Sequence, residues 1–135
     1  MALIKKYQKH PALFGYFGPD EAMIQGYTVE TISEFYHWAK DNDPYHPLWY
    51  NEAPVGTVAE HQAYANDTCD VFGVDIYPIG APHGVDLGDR TLTVIGKHTD
   101  RSMQAVKYRK PVWMIIQGFS WAHMRRPAKF QPADE

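Results

Sequence analysis

The sequence predicts an α/β fold built on four parallel strands, and three observations carry that prediction. Four short apolar runs recur along the chain: ALFGYF (12–17), PLWYN (47–51), VFGVDIY (71–77) and PVWMIIQ (111–117). The stretches between them are amphipathic or polar and long enough for crossover connections. Each run stops at polar side chains: Asp20 and Glu21, then Asn51 and Glu52, then Asp75 and Tyr77, then Gln117. In parallel α/β proteins the chemistry gathers at the C-terminal ends of the strands.

The elements follow in order. Residues 2–9 read as a helix tail ended by His10 and Pro11. ALFGYF is the first strand, and Gly18 to Glu21 form the loop that leaves it. Thr28 suits the N-cap of the next helix, with Glu30 in its first turn. Val29, Ile32, Phe35, Tyr36 and Ala39 make its apolar stripe, and the Asp41–Pro44 stretch stops it. PLWYN is the second strand. Thr57 to Asn66 form a weak, polar helix, and VFGVDIY is the third strand, stopped by Pro78. The Gly- and Pro-rich segment 79–89 reads as loop. Asp89 is expected to cap a helix over 90–108 with Leu92, Ile95, Thr99, Met103 and Val106 on one face. Lys110 and Pro111 introduce the fourth strand, and the tail after Trp121 reads as loop.

The chain of 135 residues is a single domain's worth, 1–135, with no internal linker or repeat. A complete eight-stranded barrel needs about 250 residues. The net charge of −3, with no basic cluster longer than Arg125–Arg126, argues against a nucleic-acid partner. No segment approaches the roughly 18 apolar residues of a membrane span. The single cysteine, Cys69, excludes an internal disulfide and opens an apolar run, so a buried, inert thiol is expected. The seven histidines are scattered without metal-ligand spacing, and no phosphate-binding or dinucleotide-binding glycine motif occurs. No metal and no cofactor are therefore expected. Localisation stays open: residues 1–11 lack the apolar stretch of a signal peptide, and secretion remains compatible with a longer form.

Four segments resemble strand motifs of glycoside-hydrolase-like (β/α)8 (TIM) barrels. HPALFGYFGPDEA resembles a fourth-strand signature, DPYHPLWYNEAP a fifth, CDVFGVDIYPI a sixth and KPVWMIIQGFSW a seventh. The resemblance covers about His10 to Trp121 and implies a partial barrel: strands four to seven, with helices on the outer face. The missing strands would come from a longer chain or from self-association, and the fragment alone would be inactive.

The resemblance implies that Glu21 is the general acid/base, because a Glu ends the fourth strand of such barrels. That chemistry needs a carboxylic acid able to protonate a glycosidic oxygen. The plain alternative is a solvated Asp20–Glu21 loop pair. The usual nucleophile position, at the end of the seventh strand, falls on Gln117, and an amide cannot form a glycosyl–enzyme ester. Asp75 is then the best internal second carboxylate, since it shares a strand face with Gly73 and Tyr77. A buried Asp75 satisfied by backbone or an arginine is the alternative. Asp20, Asn51, Glu52 and Gln117 are candidate substrate ligands, with Glu52 also readable as a plain loop charge. Tyr77, Phe119 and Trp121 are candidates to stack on sugar faces, whereas Trp38 and Trp113 read as core. The functional expectation is hydrolysis of a glycosidic bond in a carbohydrate substrate. A carbohydrate-binding pseudoenzyme and a structural domain with no site are the rivals.

Overall fold

The structure is a computed structural model, and residues 2–80 and 90–121 are described. It is an α/β arrangement around one four-stranded, all-parallel sheet. The elements are α1 (Ala2–Tyr7), β1 (Tyr16–Asp20), α2 (Ala22–Gln25), α3 (Val29–Asn42), β2 (Leu48–Glu52), α4 (Val58–Asn66), β3 (Val71–Ile76), α5 (Thr93–Ala105) and β4 (Val112–Ile116). The strands lie in sequence order, β1-β2-β3-β4, and every neighbouring pair is parallel. Most of the expected 79–89 loop, the Asp89 cap and the tail after Trp121 lie outside the described residues.

Strand alternation sorts the side chains onto two faces. Leu48 and Tyr50 of β2 and Phe72 and Val74 of β3 point to one of them. There they join Ile32 and Ala39 of α3, Ala65 of α4 and Val106 just after α5 in a single core cluster. The helices thus cover one face of the sheet. The other face carries Phe17, Trp49 and Trp113, whose rings meet across the strands. Phe17 and Trp49 are 4.6 Å apart, Trp49 and Trp113 5.3 Å, and Phe14 stacks on Trp113 at 5.8 Å. Trp113 therefore lies on the open face, 38% exposed, and not in the core as the sequence suggests. Gly73 makes this row possible. A Cβ there would stand 2.3 Å from Trp49 Nε1.

β1 begins four residues later than the apolar run suggests. Residues 10–13 turn instead, with the Leu13 N–H donating to His10 O, and Phe14 is 69% exposed. Pairing starts only at Tyr16, which aligns with Leu48. The strand YFGPD tolerates Pro19 because β1 is an edge. α4 is as polar as expected. A reciprocal cap holds its start: Glu60 N–H donates to Thr57 Oγ1 at 3.2 Å, and Thr57 N–H to Glu60 Oε2 at 2.6 Å. Thr28 caps α3 as expected.

α5 departs from the sequence reading. It starts at Thr93, with Leu92 at the N-cap and 64% exposed. Its buried residues are Val94, Ser102 and Ala105; of the expected stripe Val106 is buried, Ile95, Thr99 and Met103 are half-buried and Leu92 is exposed. α5 packs on β3, β4 and α4.

Charged side chains at the N-terminal ends of the strands, Asp43 buried and Asp70 half-buried, tie the layers together. Asp70 accepts from Leu48 N–H (2.8 Å), Tyr36 Oη (2.9 Å) and Lys40 Nζ (3.1 Å). Asp43 accepts from Tyr16 Oη and meets His46 Nδ1, both at 2.7 Å. Cys69 is a buried free thiol whose pKa burial pushes up to about 11, which fits the expected inert role. Among the described residues no helix is long and apolar enough to cross a membrane.

Candidate active site

The C-terminal ends of β1, β2 and β3 bring three polar side chains together on the open face. Asn51 is the hub. Its Nδ2 donates to Asp75 Oδ1 at 3.0 Å and to Asp20 Oδ1 at 3.1 Å. Asn51 is 2% exposed and Asp75 8%, whereas Asp20 is open to solvent.

Asp20 reaches this face through an irregularity in β1. Phe17 aligns with Trp49, but Asp20 aligns with Asn51, so β1 carries one extra residue between them. Without that bulge Asp20 would keep the parity of Tyr16 and point to the helices. Bulges at sheet edges re-aim side chains in this way.

Glu21 follows directly. Its backbone is left-handed, φ 49° and ψ 50°, a conformation that costs a non-glycine residue energy and recurs at functional sites. Its N–H donates to Asn51 O at 2.8 Å, and it stands at the N-cap of α2. Burial first, then the charges of Asp75 and Asp20, hold its carboxyl above the usual carboxylate range. Asp75 is also raised, chiefly by burial, while Asn51 and the Tyr77 hydroxyl pull the other way. The Tyr77 hydroxyl is raised in turn by its own burial and by Asp75.

Tyr77, Phe119 and Trp121 form an edge-to-face aromatic cluster beside these acids. The ring centroids are 4.8 Å apart for Tyr77–Phe119, 5.2 Å for Phe119–Trp121 and 6.3 Å for Tyr77–Trp121. Trp121 Nε1 donates to Tyr77 O at 3.1 Å, which fixes the indole.

Comparison of the chain with protein-family models, curated proteins and solved structures finds no match.

Two sequence candidates stand apart from the acid group. Glu52 lies on the opposite face of β2 from Asn51, fully buried. It accepts from Tyr50 Oη at 2.8 Å and from Met23 N–H at 3.0 Å. It is neither a loop charge nor turned toward the face of Asp20 and Asp75. Burial pushes its pKa up to about 7. Gln117 spends its amide on the backbone: Oε1 accepts from Ile79 N–H at 3.0 Å, and Nε2 donates to Ile79 O and Phe119 O at 2.9 and 3.0 Å. It clips the chain after β3 to the chain after β4.

Trp49 and Gly73 belong to the face below the acids; the sequence puts Gly73 on the face of Asp75, but Trp49 is not among its candidates. The period-two rule carried the signal, since Trp49 shares its strand face with Asn51, and Gly73 with Asp75. Asn51 Oδ1 and Trp49 Nε1 are buried without hydrogen-bond partners and both border Gly73. Among the described residues, no cluster of three or more His, Cys, Asp or Glu could hold a metal. The arrangement sets two carboxyls with raised pKa, Glu21 and Asp75, beside aromatic faces, and carboxyls tuned by burial are the equipment of general acid–base catalysis.

Proposed function

We propose that this chain is an arc of a glycoside-hydrolase-like (β/α)8 barrel and that the complete protein hydrolyses a glycosidic bond. The observation that carries the reading is Glu21, a carboxyl at the end of β1 held above its ordinary range by burial and by Asp75 and Asp20. A carboxyl raised in this way gives up its proton less readily than an ordinary glutamate, which suits delivery of that proton to a leaving glycosidic oxygen. Asp75 is the second carboxylate, oriented by Asn51 and Tyr77. Tyr77, Phe119 and Trp121 supply apolar ring surface of the kind sugar faces stack on. Asp20, exposed and tied to Asn51, is placed to accept a substrate hydroxyl.

The test is Glu21→Gln in the complete protein, assayed for reducing-sugar release and for glycan binding. Turnover should fall by about 10²–10⁴, the range for losing a general acid, while binding changes little. Undiminished turnover would remove Glu21 from the role.

A second reading has its own support. Gln117 sits where the resemblance places the nucleophile, and both ends of its amide are bound to backbone. That favours a carbohydrate-binding protein on the same scaffold. Glycan binding by the wild-type complete protein without any turnover would select it.

A further inference from the structure

Glu52 is a charged side chain with no exposure, set on the helix-facing side of β2. A buried carboxylate is costly unless its oxygens are met by donors. The donors here are Tyr50 Oη at 2.8 Å, the Met23 N–H at 3.0 Å to Oε1 and 3.4 Å to Oε2, and the backbone of Ala53. Met23 lies in the first turn of α2, two residues beyond Glu21. The Glu21 N–H is itself bound to Asn51 O at 2.8 Å. Consecutive residues of β2 therefore grip the chain on either side of the Glu21 carboxyl, one through its backbone and one through its side chain.

α2 is only four residues long, and no side chain caps its start. Helices this short do not hold themselves. Glu21 sits at its head in a left-handed conformation that persists only where the surroundings impose it. The Glu52 carboxylate is the one side chain seen bonding to the α2 backbone among the described residues.

We propose that Glu52 is a positioning residue for Glu21: by accepting the Met23 N–H it fixes α2, and with it the direction of the Glu21 carboxyl. Its consequence for catalysis rests on the reading of Glu21 as the acid. The attachment itself does not.

The two carboxyls also sense each other. Glu52 is lifted to about 7, mainly by burial, with the Glu21 charge adding to the rise and the Tyr50, Met23 and Ala53 bonds opposing it. Tyr64 of α4 also feels the Glu52 charge. The anchor therefore changes charge near neutral pH, and its grip on Met23 is stronger when ionised, because charge-assisted bonds are the stronger kind.

Amide and carboxyl NMR titration of this chain, with Glu52→Gln, Glu52→Ala and Glu21→Gln, tests the attachment without any substrate. In the wild type the Met23 and Glu21 amide shifts should follow one titration near pH 7. Glu52→Gln should abolish that titration yet keep slow Met23 amide exchange, since an amide oxygen still accepts. Glu52→Ala should speed Met23 exchange by roughly tenfold or more. Glu21→Gln should lower the Glu52 midpoint. A Met23 amide blind to the Glu52 titration overturns the proposal from the wild type alone, whether or not Glu52→Ala folds. In the complete protein, Glu52→Ala should lower kcat with little change in KM, and Glu52→Gln should recover most of the loss. If the NMR results hold while no variant at Glu21 alters turnover, the attachment stands and the acid assignment fails.

Discussion

Asn51 Nδ2 donates to Asp75 Oδ1 at 3.0 Å across the β2–β3 pair, deep enough that both residues are buried. The same nitrogen reaches Asp20 Oδ1, so one neutral amide separates two carboxylates. Asn51→Ala should leave Asp75 buried without this donor. A loss of about 1–3 kcal/mol in unfolding free energy is expected, the usual cost of stranding a buried polar group. Asn51→Asp should cost more at pH 8 than at pH 5, because it adds a third carboxylate to the group. Chemical denaturation at the two pH values measures both. Equal losses for Asn51→Asp at each pH would contradict the placement.

Gly73 should resist substitution. A Cβ there would stand 2.3 Å from Trp49 Nε1 and 3.1 Å from Tyr50 O, so the indole has to move while the backbone of β2 cannot. Gly73→Ala should destabilise the chain by about 1–3 kcal/mol, the overpacking range. It should also part Trp49 from Trp113, now 5.3 Å apart, and change the tryptophan fluorescence. An unchanged spectrum would show that the two rings do not meet over Gly73.

Glu52 carries a definite pH signature. Its folded pKa, about 7, lies above the ordinary glutamate value of 4.5, so between those values the folded chain holds a proton that the unfolded chain has released. Its stabilising contribution is full below pH 4.5 and is lost as the pH rises to 7. The loss is about 3 kcal/mol at the usual 1.36 kcal/mol per pKa unit. His61 and His98 act with the opposite sign: burial lowers both, so their contribution is lost as the pH falls below 6.5. The difference between wild type and Glu52→Gln, taken at each pH, cancels the histidines. The variant should gain on the wild type from pH 5 to pH 8, and a flat difference would mean that Glu52 ionises normally.

α4 depends on its start. Its helix is polar, and the Thr57–Glu60 reciprocal cap satisfies the first-turn N–H groups. Thr57→Ala should cost about 1 kcal/mol by thermal or chemical unfolding. A cost near zero would place the stability of α4 in its packing alone.

Much of the fold was legible because periodicity and strand-end chemistry agree. PLWYN and VFGVDIY sit in the middle of the sheet, where continuous apolar sequence and pairing reinforce each other. β1 was misplaced because its edge position lets YFGPD pair despite Gly18 and Pro19, while the more apolar ALF turns outward. The buried face of α5 is legible only in part: Val106 is buried as its stripe implies, but so is Ser102, which a hydrophobic stripe does not reveal. In the site, the meeting of Asn51 with Asp75 follows from strand alternation. The arrival of Asp20 does not, because a bulge inverts its face. Glu52 reads as exposed at a strand end, but it lies on the helix-facing side of β2, where it meets Tyr50 and the Met23 N–H of α2.

The open face of the sheet sets the last prediction. Phe17, Trp49, Trp113 and Phe14 form a continuous row of rings across it, and Phe14, Phe17 and Trp113 are 69%, 52% and 38% exposed. β1 and β4 are the two edges of the sheet, each offering backbone groups on one side. Contiguous apolar surface beside unpaired strand edges drives association. The 135-residue chain should therefore show concentration-dependent oligomers in sedimentation and bind a hydrophobic dye in its native state. Replacing Phe14 and Trp113 together by Ser should reduce both signals, since Phe14 ends the row and Trp113 joins it to Trp49. Phe14 contributes nothing to β1 pairing, which begins at Tyr16, so the double variant should still fold. A monodisperse monomer that binds no dye and unfolds in one sharp transition would show that this face is covered within the chain itself.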